Sequence, residues 1–259
     1  MRIAFISDIH EDIASLTRAF KIIEKAKCDE IVCLGDIVGF SVPFYKYYNT
    51  RDANACVKLI SENARYTVAG NHEHYALRKL PSFTNGLELP SNWYELPFYK
   101  RKEISENKIW LYEDNELSPL LNDNSKSWIS SLPEHITIPC EEHKFFLSHY
   151  IYPDMTGIST CFINKKSEFS MHYNLMRKSE ADLSVFGHAH PDGLHIVDTI
   201  NHHTYNSKKV KFTNNIIGIG VPAITSSSYY SGFMIYDSDK RSFETFPVNT
   251  KFKLIKIKQ

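Results

Sequence analysis

The sequence has no net charge: thirty Lys and Arg stand against thirty Asp and Glu. No overall field draws the chain to duplex nucleic acid or to an anionic membrane, so there is no strong nucleic-acid signal and no reason to expect a membrane partner. Patterned cysteine is also missing. Cys28, Cys33, Cys56, Cys140 and Cys161 show no CxxC spacing and leave an odd thiol, which speaks against a disulfide framework and a structural zinc site and fits reduced thiols in the cytoplasm. No apolar stretch approaches the roughly 20 residues of a membrane helix. Arg2-Ile3-Ala4-Phe5-Ile6 opens the chain without a longer apolar region or a small-residue cleavage site, so a cytoplasmic protein is expected. Internal repeats and low-complexity segments are absent as well.

What is present is a series of short apolar runs that stop abruptly. Arg2 to Ser7 is closed by Asp8, Glu30 to Leu34 by Gly35-Asp36, and Tyr66 to Ala69 by Gly70-Asn71-His72. Lys144 to Leu147 leads into Ser148-His149, and Leu183 to Phe186 into Gly187-His188-Ala189-His190. Runs of this length, apolar on both faces, suit strands buried between two layers, although short buried helix has the same pattern. Ile13 to Lys27, with Ile13, Leu16, Phe20 and Ile23 at helical spacing behind Asp12 as N-cap, predicts a helix, and so does Arg51 to Ala64. The chain therefore starts as a right-handed βαβ unit.

Residues 74–134 read as a helical and loop insertion in a single domain spanning 1–259, because Pro81, Pro90, Pro97, Pro119 and Pro133 chop the segment into short pieces. Past residue 192 the pattern is β-like, with Ile216 to Ile219, Gly232 to Tyr236 and Phe243 to Val248 as strands. Lys251 to Lys258 alternates Lys with apolar residues and reads as a half-buried edge strand.

Chemistry gathers where the runs end. Loops beyond the carboxyl ends of strands hold functional side chains on a rigid frame, and five such ends carry Asp, His or Asn. In Asp8-Ile9-His10 and His188-Ala189-His190 the first and third residues would point to one side of an extended segment, offering oxygen and imidazole nitrogen to a first-row cation. Singly, each piece has an ordinary explanation: Gly35-Asp36 a turn, Asn71 a helix cap, His149 a buried imidazole. All five in this order, each closing an apolar run, point to a metal site.

Asp8-Ile9-His10, Gly35-Asp36-Ile37-Val38-Gly39, Gly70-Asn71-His72-Glu73, His149 and Gly187-His188-Ala189-His190 together match the DxH, GDxxG, GNH[DE], H and GHxH signature, and the chain resembles the calcineurin-like metallophosphoesterases. EIVCLGDIVGF, NACVKLI and SWISSLPEHI extend the likeness to a bacterial and archaeal branch of small predicted phosphoesterases over most of residues 1–190. The resemblance implies an α/β fold in which two mixed sheets pack face to face between flanking helices, a four-layer α/β/β/α sandwich. It implies one metal held by Asp8, His10, Asp36 and His190 and a second by Asp36, Asn71, His149 and His188, with Asp36 bridging ions about 3.5–4 Å apart. Mixed nitrogen and oxygen ligation suits two divalent or trivalent transition-metal ions, Mn, Fe, Zn or Ni. The expected activity is hydrolysis of a phosphodiester or phosphomonoester by in-line attack of metal-bound hydroxide, with His72 as catalytic residue that either protonates the leaving oxygen or hydrogen-bonds the phosphate.

Three departures or additions bear on that expectation. The carboxylate partner that follows the GD motif in phosphoprotein phosphatases is replaced by Gly39, which weakens a protein-phosphatase reading. Glu11-Asp12 stands where relatives often have Gly-Asn; Asp12 is expected to cap the following helix and Glu11 to face water. Aromatic residues Phe40, Phe44, Tyr45, Tyr47, Tyr48, Tyr150 and Tyr152 follow ligand motifs, where they either line the cleft or pack the insertion. A phosphate-ester small molecule or nucleotide is the expected partner. Glu73 is expected to be structural, and His74, His135, His143, His172, His195, His202 and His203 to lie at surface or turn positions. The alternatives are a catalytically silent binding or scaffold member of the same fold, whose trace would be a missing ligand, and a nuclease, whose trace would be a basic groove. Neither trace is visible.

Overall fold

The computed structural model describes residues 1–112 and 116–249; the expected strand at Lys251 to Lys258 lies outside them. The strands are β1 (Arg2–Ile6), β2 (Glu30–Cys33), β3 (Phe40–Ser41), β4 (Tyr66–Thr67), β5 (Glu116–Leu117), β6 (His135–Cys140), β7 (His143–Ser148), β8 (Leu183–Phe186), β9 (Leu194–Asp198), β10 (Tyr205–Ser207), β11 (Lys209–Lys211), β12 (Ile216–Gly220), β13 (Gly232–Asp237) and β14 (Ser242–Pro247). The α-helices are α1 (Ile13–Lys25), α2 (Ala53–Asn63), α3 (Asn71–Ala76), α4 (Phe98–Ser105), α5 (Asp123–Ser130) and α6 (Ser170–Lys178).

Two six-stranded sheets result, ordered β11-β14-β13-β1-β2-β4 and β10-β9-β12-β8-β7-β6, with β3 and β5 forming a small third sheet. Both large sheets are mixed. β1 runs parallel to β2 and antiparallel to β13; β8 runs parallel to β7 and β12, while β6 and β9 are antiparallel to their neighbours.

The period of two along each strand builds the layers. Ile3 and Phe5 of β1 face Phe145 and Leu147 of β7 and Leu183 and Val185 of β8 in the core between the sheets. Ala4 and Ile6, on the opposite face of β1, pack under Leu16, Ala19 and Ile23 of α1 and Val57 and Ile60 of α2. Phe146 and Phe186 turn outward beneath Met176 of α6. This is the α/β/β/α sandwich the sequence led us to expect. Leu87, Trp93, Ile109 and Ile158 form a separate small cluster that anchors residues 87–109 to the loop after β7. Among the described residues, no helix is long and apolar enough to cross a membrane.

Asp12 caps α1 as expected, accepting from Ser15 N at 2.9 Å, and also accepts from Ser226 N at 2.9 Å. Glu11 does not face water. It is 1% exposed, its carboxylate accepts from Gly39 N at 3.2 Å and lies 3.6 Å from Arg51, and burial pushes its pKa up to about 7. Two of the histidines expected at the surface are also buried: His74, 3.7 Å from Glu134, and His172, locked between Tyr152 N and Ser184 Oγ at 2.7 Å each.

Candidate metal centre

The loops after β1, β2, β4, β7 and β8 meet at one end of the two sheets. Asp8 is not part of an extended segment, contrary to expectation. The backbone after β1 turns left-handed at Asp8, His10 and Glu11, and Asp36, His188 and His190 are left-handed too, with φ between +45° and +68°. Each such non-glycine residue costs about 1–3 kcal/mol and persists only when its surroundings over-determine it. Here the loops hold one another: Ile9 N and His10 N both donate to Asp36 O, at 2.7 and 3.0 Å, and Asp8 N donates to Gly35 O at 3.1 Å. Glu73 is the structural residue that was expected. Its two oxygens accept from Asp36, Ile37 and Gly70 N at 2.8 Å and from Val38 N at 3.2 Å, which ties the first turn of α3 to the loop after β2.

All seven expected ligands converge. Each of two aspartates uses one oxygen on backbone and aims the other inward. Asp8 Oδ2 accepts from His188 N at 3.0 Å, and Asp36 Oδ1 from His72 N at 3.0 Å. Asp36 Oδ2 then lies 3.1 Å from His149 Nε2 and 4.0 Å from His10 Nε2, and Asp8 Oδ1 lies 3.2 Å from His190 Nε2. The imidazoles are pinned by their outer nitrogens. His10 Nδ1 meets Gly39 O at 3.1 Å, His149 Nδ1 meets Leu34 O at 2.6 Å, and His190 Nδ1 meets Ser228 Oγ at 2.9 Å, so each presents Nε2 to the centre. The carbonyls fix ring orientation and tautomer for His10 and His149, and the hydroxyl fixes the orientation of His190, as outer partners do for metal-ligating histidines.

Cation-donor groupings of Asp8, His10 and His190, of Asp36, His149 and His188, and of His10, Asp36 and His72 each bring their ligand atoms within 4.8 Å of one another. The donor set fits a metal on a second observation. Asp8 Oδ1 and His188 Nε2 are buried with no hydrogen-bond partner, a costly arrangement that coordination would relieve. One end of the Asn71 amide meets Asp36 Oδ2, His149 Nε2 and Thr156 O at 3.3, 3.2 and 3.1 Å, and the other meets the Tyr112 hydroxyl. With nitrogen inward the amide donates to these acceptors; with oxygen inward it adds one more acceptor, as a cation requires.

Charge follows the crowding. Burial alone would raise Asp8 and Asp36, but the His190 and His149 imidazoles hold both carboxyls below the ordinary range. Burial lowers His10 and His188 to about 3, aided by His72 and His149 respectively. Against burial, Glu116 and Asp36 raise His72 to about 10, and Asp36 raises His149 to about 9.

Three partners were not read from the sequence. Glu116 lies with a carboxylate oxygen 3.0 Å from His72 Nδ1. Tyr47 donates to His10 O at 3.0 Å, and Ser228 orients His190 from beyond residue 192. No local pattern marks Glu116 or Ser228, and Tyr47 stood out only as one of the aromatic residues after the GD motif; the further hint was the glycine at position 39. A Cβ there would enter the His72 ring, and φ is +94°, so Gly39 leaves the space that His72 fills. The expected aromatic lining divides. Phe44 and Tyr45 line the cleft beside the cluster with Trp110, Tyr112 and Phe162. Phe40 is fully buried, and Tyr150 packs on His188 with its hydroxyl accepting from Ile163 N.

A family model described as calcineurin-like phosphoesterase matches residues 1–192. The chain belongs to the calcineurin-like phosphoesterase family. Metal-dependent hydrolysis of phosphoesters is the chemistry of that family, and the donor cluster of this phosphoesterase accords with it. Its fold is similar to that of a metallophosphoesterase from Sphaerobacter thermophilus, with a TM-score of 0.64 at 18% identity over 96% of this chain and 88% of that one. A hypothetical protein from Pyrococcus horikoshii is similar with a TM-score of 0.57 at 13% identity, over the same shares of the two chains. An uncharacterized protein of Methanocaldococcus jannaschii is 36% identical over 77 residues, which is 30% of the phosphoesterase and only 28% of that relative's length.

Proposed function

We propose that this phosphoesterase binds two transition-metal cations and hydrolyses a phosphodiester or phosphomonoester of a small molecule or nucleotide. Asp8, His10, Asp36 and His190 would hold one ion, and Asp36, Asn71, His149 and His188 the other. The observation that carries the reading is Asp36 Oδ2, which faces ligand histidines on both sides, His149 at 3.1 Å and His10 at 4.0 Å. Donors of mixed nitrogen and oxygen favour Mn, Fe, Zn or Ni over Mg or Ca. The cations would supply charge neutralisation at the phosphoryl oxygens and activation of water.

The remaining work falls to the chain. His72 reaches the cleft with Nε2, 3.9 Å from Asp36 Oδ2, while Glu116 holds its Nδ1. In the hydrolysis a water oxygen bonds to phosphorus, the ester P–O bond breaks, His72 delivers a proton to the leaving oxygen, and the proton lost by water passes to solvent. The free thiols of Cys28, Cys33, Cys56, Cys140 and Cys161 suit the reducing cytoplasm as its place of work.

The test is assay of the protein loaded in turn with Mn, Ni, Co, Zn and Mg on bis-p-nitrophenyl phosphate and p-nitrophenyl phosphate, with metal content measured on the same samples. Two equivalents of metal and turnover are expected, both lost in Asp36→Asn. His72→Ala should keep both metals and lose about 10²–10⁴-fold in kcat. One equivalent per chain, or turnover that survives Asp36→Asn, would overturn the dinuclear reading; equal loss of metal and turnover in His72→Ala would make His72 a ligand.

A further inference from the structure

Most exposed aromatic side chains on a folded surface stand singly and need no explanation. Here three of the eleven large hydrophobic residues that stand exposed among the described ones converge on one cleft: Phe44 at 68% exposure, Phe162 at 44% and Trp110 at 38%. The same cleft, of about 350 Å³, has His10, Asp36, His72, His188 and His190 in its lining. Phe162 lies stacked over His188, with ring centroids 5.3 Å apart and planes 18° apart, and its further ring neighbours are Tyr150 at 6.2 Å and Trp110 at 6.5 Å. The aromatic wall is therefore continuous with the donor cluster. Phe44 follows β3, whereas Trp110 comes from the insertion and Phe162 from the loop after β7, so three separate segments supply the wall.

Asp36 and Glu116 contribute carboxylates to the lining, and no Lys or Arg lines it among the described residues. The His72 imidazolium and the cations proposed above would offset charge at the phosphoryl group itself, and against the two carboxylates a diester, with one negative charge fewer than a monoester dianion, is the better match. What the cleft does offer to bind with is ring surface, which suits a flat group through stacking whatever its hydrogen-bonding edge.

We propose that the cleft selects phosphodiesters bearing a flat ring, gripped by Phe44, Trp110 and Phe162 while the phosphate lies over the donor cluster. This rests on the hydrolase reading given above and names its substrate class. The ring could belong to a nucleobase or to an aryl ester, and the two sources share the same stacking chemistry.

Three diesters with a common, ring-free trifluoroethyl group test it, each followed by phosphorus NMR as it is consumed: the methyl, the phenyl and the thymidine 5′ esters of trifluoroethyl phosphate. The ratio of kcat/KM for a ring-bearing ester to that for the methyl ester is expected to fall about tenfold in Phe44→Ala and in Trp110→Ala, the scale of one lost stacking contact. A fall for the thymidine ester alone assigns the wall to nucleobases; a fall for both assigns it to flat rings at large. An unchanged ratio in both variants overturns the proposal. A binding readout separates this from failure of the hydrolase reading. Titration of the metal-loaded protein with diphenyl phosphate and with thymidine 5′-phenyl phosphate should quench tryptophan fluorescence, and the quench should vanish in Trp110→Phe. If no metal supports hydrolysis of any ester, the fluorescence titration still decides: a quench that depends on Trp110 upholds the ring site, and no quench, or one that persists in Trp110→Phe, rejects it.

Discussion

Glu116 holds His72 Nδ1 at 3.0 Å, in the space left by Gly39. The small β3–β5 sheet makes this possible. Phe40, next to Gly39, pairs with Leu117, next to Glu116, so β5 delivers a carboxylate beside the position where Gly39 has only hydrogen. The departure at Gly39 that weakened the likeness to phosphoprotein phosphatases is thus answered from 44 residues away from His72.

That pairing predicts a positioning role. Glu116→Gln should lower kcat about 10–100-fold, the range for partners that orient a functional histidine, with KM and bound metal little changed. Glu116→Asp should recover part of the loss. Steady-state kinetics with metal analysis check this, and loss of metal together with kcat would show that Glu116 serves the fold of the site instead. Gly39→Ala should be worse than Glu116→Gln, because its Cβ would displace the imidazole itself.

Glu73 supports the centre from beneath. Its carboxylate takes four backbone N–H groups, so Glu73→Ala orphans the amides of Asp36, Ile37, Val38 and Gly70. At about 1–3 kcal/mol for each buried group left unsatisfied, and with some relief from water, a loss of about 3–5 kcal/mol is expected. Glu73→Gln keeps one acceptor oxygen and should cost less. Urea denaturation of the three proteins measures both, and an Ala variant within 1 kcal/mol of the parent, an order-of-magnitude bound, would refute the tie.

His172 gives a pH dependence. Burial, with the His135 imidazole as a lesser cause, holds its pKa down at about 3, against an ordinary 6.5, and protonating Nδ1 would also break the bond it accepts from Tyr152 N. A base lowered in the folded state contributes stability that is complete above 6.5 and is lost as pH falls from there towards 3, since the unfolded chain binds the proton first. Between pH 7.5 and 5.5 this group should remove about 1.4 kcal/mol. The drop in stability over that interval should be smaller by about this amount in His172→Gln, compared by urea denaturation at the two pH values.

How much of this was legible beforehand follows from the range of each interaction. Apolar runs that end at Asp8, Asp36, Asn71, His149 and His188 announced the strands and the ligands together, because a strand buried on both faces must be apolar throughout and the polar residue that closes it lies at the sheet's end. Asp12 as a cap was legible because its acceptor sits three residues from the N–H it binds. The left-handed turns at Asp8 and His10 were not, since the hydrogen bonds that impose them come from Asp36 and Gly35 across the sheet.

By itself, then, the order of residues determined which side chains can bind a cation and which segments carry them. Only the tertiary structure decided that Glu116 serves His72, that Ser228 aims His190, that Glu11 is buried against Arg51, and that Phe44, Trp110 and Phe162 share a wall with the donors. The reason is physical. A local pattern reports on burial and backbone period within one element, whereas a partner 38 or 44 residues away is chosen by how loops pack, and leaves no period to read.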